Sequence, residues 1–227
     1  MMRADVTVSE ELKQILIADA VLTVSFAFAL NGGIGGGFGG LAMLLPISAL
    51  AITLNFILHE MMHKFTAQRY GAIAHFISSR NGLIITLVSG LFGFLIGIPG
   101  ATYIYSNRFT KRENGIVSLA GPLTNMVVFV GFLALSLVTP QSAAYLHHAY
   151  AIVIEISLFL AFFNMLPVFP LDGSKVLAWS APIYVGTMAV IFATLYLFTG
   201  IGLVYVAYLV IFALFFSFIG RMLLLGG

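Results

Sequence analysis

Long apolar runs dominate this chain and restrict what it can fold into. Six of them approach the roughly 20 residues that a helix needs to cross the hydrocarbon core of a bilayer. Only 8% of the 227 residues are charged, whereas a soluble domain carries about 25%. This number of charges is too small to cover a water-facing surface. The sequence therefore predicts an all-α integral membrane protein. We place its six transmembrane helices at about 14–30, 41–65, 116–138, 148–168, 181–199 and 201–222.

A further apolar segment, 82–105, is also long enough to cross the membrane. Basic residues favour the cytoplasmic side. With six spans and a cytoplasmic N-terminus, all ten Lys and Arg residues fall at cytoplasmic ends or loops. A seventh span would move four of these residues to the opposite side. We therefore expect 82–105 to dip into the membrane and return, as a re-entrant segment or β-hairpin between the second and third spans.

The sequence predicts a single domain over residues 1–227, because its longest hydrophilic stretch between spans covers only 106–115. Acidic residues precede the first apolar run, which favours a retained helix over a cleaved signal peptide. A net charge of +2 without a basic run argues against nucleic-acid binding. The chain has no cysteine, which excludes disulfides and thiolate ligands. We expect both termini to be cytoplasmic.

The strongest chemical signal is the sequence His59-Glu60-Met61-Met62-His63 inside the second predicted span. Residues four apart lie on one face of a helix, so both imidazoles can reach one metal ion. The adjacent glutamate can then reach a metal-bound water and act as its general base. The alternative is that these side chains only join helices through hydrogen bonds.

A catalytic zinc usually has three protein ligands, so the two histidines need a partner. Asp172 follows the fourth span and lies on the same predicted side of the membrane as the histidines. Two prolines end the preceding helix, and Gly173 allows a tight turn that aims the carboxylate inward. Glu155 is the rival, but it lies seventeen residues before Asp172, about 25 Å away toward the outer half of the membrane if that segment is helical. We predict one Zn²⁺ per chain, bound by His59, His63 and Asp172.

Two asparagines, Asn125 and Asn164, can reach the depth of the histidine pair. We predict that they bind the substrate backbone or the oxyanion, with interhelical hydrogen bonding as the alternative. Outside this region we expect Asp19 to face a neighbouring helix or the membrane interface, and His75 to be solvated.

Three motifs resemble the site-2 protease family of intramembrane zinc metalloproteases, in its prokaryotic type without a PDZ domain. HEMMH at 59–63 resembles the family's HExxH, and NMLPVFPLDG at 164–173 resembles its N-x-x-P-x-x-P-x-D-G element. AGPLTN at 120–125 is similar to its A-G-P-x-x-N element. The resemblance covers about 41–175. The chain departs from the pattern at Ser174, where many relatives have a second glycine.

The resemblance implies that the zinc ligands are His59, His63 and Asp172, that Glu60 is the general base, and that 82–105 is a membrane-dipping β-region. It also implies hydrolysis of a peptide bond within or near a transmembrane segment, by a cell-membrane enzyme whose site lies nearer the cytoplasmic face. The competing interpretation is a divalent metal-ion transporter that uses the same residues. A metalloprotease of prenylated C-termini would share HExxH but would not explain the LDG element.

Overall fold

The computed structural model describes residues 6–106 and 109–200, together with 207, 210, 211 and 214. Five helical segments are long and apolar enough to cross a membrane, and they correspond to the first five predicted spans. The sixth predicted span, 201–222, lies almost entirely outside the described residues. The helices are α1 (Val8–Leu30), α2 (Leu41–Ile52), α3 (Leu58–Arg69), α4 (Arg80–Leu91), α5 (Lys111–Val138), α6 (Ala144–Asn164), α7 (Asp172–Trp179) and α8 (Ala181–Thr199).

The second span is one continuous segment, Leu41–Arg69, in which a π-helical turn over Thr53–Ile57 joins α2 to α3. Such turns are single insertions into α-helices and frequently lie at functional sites. Here the turn immediately precedes the HEMMH sequence. It therefore contributes to the direction in which the α3 side chains point.

Both α1 and α5 begin with a capping box. The Thr7 hydroxyl accepts from the backbone N–H of Glu10, whose carboxylate accepts from the Thr7 N–H. Thr110 and Glu113 repeat this arrangement at the start of α5. Each box satisfies backbone donors that the first helical turn leaves unpaired, so the polar sequence before each span defines where its helix begins.

Segment 82–105 contains a helix and a strand. Strand β2 (Gly100–Tyr105) pairs antiparallel with β1 (Ile73–Ser78), which precedes the segment, and α4 lies between the two strands. A short apolar run does not distinguish a strand from a buried helix, which explains why the sequence does not separate α4 from β2. One strand of the sheet thus lies in the segment and its partner lies before it, and the re-entrant segment or β-hairpin within 82–105 stays a prediction.

Helix α4 packs tightly against α1. A Cβ atom added to Gly90 would lie 2.5 Å from the carbonyl oxygen of Ser25. Real Cβ atoms do not approach backbone oxygen so closely, so glycine is required for this contact. The close approach places the α4 segment beside the first span.

Side chains of α1 bind the outer edge of β1. Glu11 accepts from the Phe76 N–H at 3.0 Å, and Gln14 accepts from the Ser78 N–H at 2.9 Å. Glu11 is only 4% exposed and also pairs with Lys64 at 2.6 Å. His75 lies 3.3 Å from the same carboxylate, so the expectation that His75 is solvated is wrong.

Helix α5 lies at the centre of the bundle, in contact with α3, α6 and α7. The end of α6, the following turn and α7 are held against α5 by buried apolar residues that include Phe129, Phe162, Met165 and Val176. Side chains on the opposite helix surfaces are apolar and exposed, as at Leu137 and Leu197. Such a surface is suited to lipid, which agrees with a multi-pass membrane protein.

Candidate metal centre and active site

His59 and His63 lie one turn apart on α3, and both are buried. Their Nε2 atoms are 3.0 Å apart. The spacing of four residues places them on one face, as predicted. The two rings therefore direct their Nε2 atoms toward a common point.

Asp172 is the first residue of α7, and it completes this cluster. Its Oδ2 atom lies 3.0 Å from His63 Nε2 and 3.5 Å from His59 Nε2. The Lys175 ammonium lies 3.3 Å from Asp172 Oδ1. This positive charge favours the ionised carboxylate, which is the form that binds a metal.

Gly173 is what allows Asp172 to occupy this position. A Cβ atom at residue 173 would collide with the backbone of Met165 and Leu166 at the end of α6. The start of α7 can approach α6 this closely only because residue 173 has no side chain. The sequence predicts a tight turn at Gly173, but Gly173 is the second residue of α7. Glycine is needed here for close backbone approach instead.

The outer nitrogen of each imidazole is bound by the protein. His63 Nδ1 lies 2.8 Å from the carbonyl oxygen of Val117, and a carbonyl can only accept. His59 Nδ1 lies 2.6 Å from Asn125 Oδ1. Both rings therefore carry their proton on Nδ1, and both Nε2 lone pairs face the cluster.

Asn55 fixes the orientation of the Asn125 amide. Asn125 Nδ2 donates to the backbone oxygen of Asn55 at 3.0 Å and to its side-chain oxygen at 2.8 Å. Asn55 itself donates to the carbonyl of Ala51 at 3.0 Å. Because both Asn125 donors point at Asn55, its oxygen must face His59.

The sequence interpretation missed Asn55. It is a fully buried amide in an apolar span, and it lies four residues before His59 on the same helix face. A polar residue at membrane depth calls for a partner, and this spacing was the signal that could have identified it.

The donor set fits a single zinc ion. One ligand atom from each of His59, His63 and Asp172 lies within 4.8 Å of the other two, and all three residues are buried. Two imidazole nitrogens and one carboxylate form a ligand set found in catalytic zinc sites. Two Nε2 lone pairs and a carboxylate would repel one another in a buried space, and a bound cation relieves that repulsion.

Gly121 forms the floor of this cluster. A Cβ atom there would lie 2.5 Å from His63 Nε2 and 2.6 Å from His59 Nε2. Any larger residue would enter the space where the histidine nitrogens converge. The Ala120-Gly121-Pro122 sequence thus contributes to the site by leaving that space open.

Glu60 points from α3 toward strand β2. Its Oε2 atom accepts from the N–H of Thr102 at 2.9 Å and from the Thr102 hydroxyl at 2.8 Å. Glu60 thus lies next to His59 in sequence but directs its carboxylate to a different neighbour from the three-residue cluster.

The remaining candidates lie elsewhere. Asn164 is half-buried at the end of α6 and donates to the carbonyl of Leu160 at 3.0 Å. Asp19 accepts from the Thr53 hydroxyl at 2.8 Å and so faces a neighbouring helix. Glu155, the rival ligand, is exposed on α6 and does not belong to the cluster.

Three curated relatives are similar to this chain. MJ0611 of Methanocaldococcus jannaschii is 40% identical over 163 residues, which cover 71% of this chain and 81% of the relative. YwhC of Bacillus subtilis is 30% identical over 158 residues, which cover 59% of this chain and 68% of the relative. Rip2 of Mycolicibacterium smegmatis is 33% identical over 143 residues, which cover 53% of this chain and 51% of the relative. No family model and no solved structure matches the chain.

All three relatives are provisionally named zinc metalloproteases. Their names agree with the metal-binding chemistry of the histidine and aspartate cluster, and zinc is accordingly the cofactor. The apolar spans make the protein a multi-pass membrane protein. The chain belongs to the site-2 protease family and is a zinc metalloprotease.

Proposed function

We propose that the protein is an intramembrane protease that hydrolyses a peptide bond within or near a transmembrane segment of a membrane-protein substrate, as in regulated intramembrane proteolysis. The observation that carries this proposal is the location of the cluster. His59, Glu60 and His63 lie on a helical segment that is long and apolar enough to span the membrane. A bond cut there belongs to a substrate that shares the bilayer.

We also propose that the site lies nearer the cytoplasmic face and that both termini are cytoplasmic. His63 precedes Arg69, the last residue of α3, by six residues, or about 9 Å of helix. Lys64 and Arg69 follow the histidines, and Lys175 follows Asp172 in sequence. The concentration of basic residues on this side supports the orientation through the positive-inside rule.

His59, His63 and Asp172 would hold the zinc ion. Zinc held there would supply Lewis acidity, which polarises a carbonyl group and lowers the pKa of water toward about 7. Glu60 accepts the proton of the attacking water and passes it to the amine that leaves when the peptide bond breaks. Asn125 and Val117 keep the two imidazoles in the tautomer that this chemistry needs.

The two asparagines of the sequence prediction receive different roles in this proposal. Asn164 is half-buried beside the turn that leads to Asp172, and we assign it contact with the substrate backbone. Asn125 is fully buried and uses both ends of its amide within the protein. We therefore assign Asn125 an indirect contribution to substrate binding, in which it orients the His59 ring.

A transmembrane helix must unwind before one of its peptide bonds can enter the site. We assign reception of the unwound segment to 82–105, dipping into the membrane, with the substrate added as a strand to β2. Glu11 and Gln14 already occupy the outer edge of β1. Within the described sheet, the edge of β2 that faces Glu60 is therefore the one to which a substrate strand would be added.

Cleavage of a model transmembrane substrate by the purified full chain tests the proposal, with bound zinc quantified in parallel. Glu60→Gln is expected to abolish cleavage while retaining about one zinc per chain. The matched control is Glu155→Gln, the same change at an exposed residue, which should cleave normally. Normal cleavage by Glu60→Gln would contradict the mechanism. Zinc flux into liposomes without any cleavage would instead support a transporter, which the relatives' names do not favour.

A further inference from the structure

We propose that Thr102 is a positioning residue that holds the Glu60 carboxylate ready to act as the base. This inference rests on the proposed function, because it concerns the general base of that reaction. It adds a residue outside the three motifs on which the family resemblance depends.

Two donors of Thr102 converge on one oxygen of Glu60. The backbone N–H lies 2.9 Å from Oε2 and the hydroxyl lies 2.8 Å from the same atom. The hydroxyl is also 3.2 Å from the backbone oxygen of Glu60. A hydroxyl has a single proton, and the shorter contact indicates that it is donated to the carboxylate.

The direction of the Thr102 N–H follows from the sheet register. Thr102 lies opposite Phe76, and the Phe76 N–H points away from β2 toward Glu11. In an antiparallel pair of this kind, the N–H groups of both residues point outward, on opposite sides of the ladder. The Thr102 N–H must therefore face α3, where Glu60 lies.

Strand β2 is itself held in place. Phe76 is fully buried, and the outer edge of β1 is bound by α1 through Glu11 and Gln14. The hydrogen bonds thus run without interruption from α1 through β1 and β2 to the Glu60 carboxylate. A donor on such a support can fix the carboxylate before substrate arrives.

This arrangement has a chemical consequence. A free glutamate side chain samples many rotamers, and a base contributes fully only when it is aligned with its proton. With Oε2 held by Thr102, the other oxygen, Oε1, is the one that can accept the proton. The Thr102 N–H is donated to Glu60, so a substrate strand added to this edge of β2 would pair with β2 beside Thr102 rather than with its N–H.

The test compares three threonine variants in the full-length protein. Thr102→Val removes the hydroxyl but keeps the β-branched shape and the N–H, and Thr102→Ser restores the hydroxyl. Thr194→Val is the matched control, because among the described residues the Thr194 hydroxyl binds the carbonyl of Val190 on its own helix. Cleavage kinetics, zinc content and thermal unfolding are measured for each variant.

We expect Thr102→Val to lower kcat about tenfold with KM and zinc content unchanged, and Thr102→Ser to recover most of the loss. In a Glu60→Gln background, which does not cleave, Thr102→Val should leave the Kd of the substrate peptide unchanged. A normal kcat in Thr102→Val, or a change confined to KM or Kd, would overturn the proposal. So would an equal loss of kcat in Thr102→Ser and Thr102→Val. Failure of the proposed function is distinguishable, because then wild type would not cleave at all.

Discussion

The Asn125 side-chain oxygen lies 2.6 Å from Nδ1 of His59, and this contact determines which nitrogen of the ring faces the metal position. The Asn125 amide could in principle be turned around, with its nitrogen toward the ring. Its two contacts to Asn55 exclude that orientation. A buried pair of asparagines from two different spans therefore sets the tautomer of a proposed metal ligand.

Replacing Asn125 with leucine should weaken zinc binding by roughly 10–100-fold, the usual cost of losing a group that orients a metal-bound histidine. Without the amide oxygen, nothing keeps the His59 proton on Nδ1. Zinc affinity is measured by competition with a chelator. Thr124→Val is the control, since within the part of the chain that the structure describes the Thr124 hydroxyl binds the carbonyl of Ala120 on its own helix. Equal affinities in the two variants would contradict this role for Asn125.

Asn55→Leu should weaken zinc binding less than Asn125→Leu, because the Asn125 amide can still reach His59 but is no longer held in one orientation. The double variant should be no worse than Asn125→Leu alone, since Asn55 acts only through Asn125. The same competition assay measures this coupling. Additive losses would mean that Asn55 supports the site by another route.

The proposed metal ligands and the residues that orient them differ in how far the sequence could predict their positions. His59 and His63 follow from a spacing of four residues, and Asp172 follows from its predicted side of the membrane together with the turn before it. Asn55 also lies four residues before His59, but this spacing does not identify the residue that Asn55 binds. That partner, Asn125, depends on how the second span packs against α5.

The fold, too, has features that a local sequence pattern predicts and features that it does not. Apolar length predicts the spans, because crossing the bilayer demands about 20 residues whatever the packing. The link between Glu11 and Lys64 joins positions 53 residues apart, and no local pattern encodes it. Strand β1 is equally difficult to predict. It has only six residues and pairs with β2 across an intervening helix, so its sequence shows no clear hydrophobic periodicity.

Gly121→Ala should abolish zinc binding and cleavage together. The new methyl group would lie 2.5 Å from His63 Nε2 and 2.6 Å from His59 Nε2, so the rings or the helix must move. Gly131→Ala on the same helix is the control, because nothing lies within 4 Å of a Cβ atom there. Zinc content and cleavage are measured for both. A Gly121→Ala protein with one bound zinc and normal cleavage would show that the site tolerates the methyl group.

Removing the Glu11 carboxylate should destabilise the protein strongly. Glu11→Ala leaves Lys64 without its buried partner and the Phe76 N–H without its acceptor, and breaking a buried ion pair costs about 3–5 kcal/mol. Thermal unfolding should shift downward by several degrees. In the Glu11→Leu/Lys64→Met double variant, much of the loss should be recovered, because no unpaired charge remains. If Glu11→Ala unfolds at the wild-type temperature, the ion pair contributes little to stability.

Glycines in segment 82–105 allow the packing and substrate-binding roles of the segment to be separated. Gly90→Ala should lower thermal stability, because its Cβ atom would contact the Ser25 carbonyl at 2.5 Å and push α4 away from α1. Gly97→Ala should unfold at the wild-type temperature, since the nearest atom to its Cβ is in the flexible Leu22 side chain at 3.5 Å.

If segment 82–105 receives substrate, bulkier residues at Gly97 should impair cleavage while the temperature of thermal unfolding remains unchanged. Normal cleavage by Gly97→Leu would argue against a substrate-binding role here, whereas a cleavage defect in Gly90→Ala alone would reflect lost packing between α1 and α4.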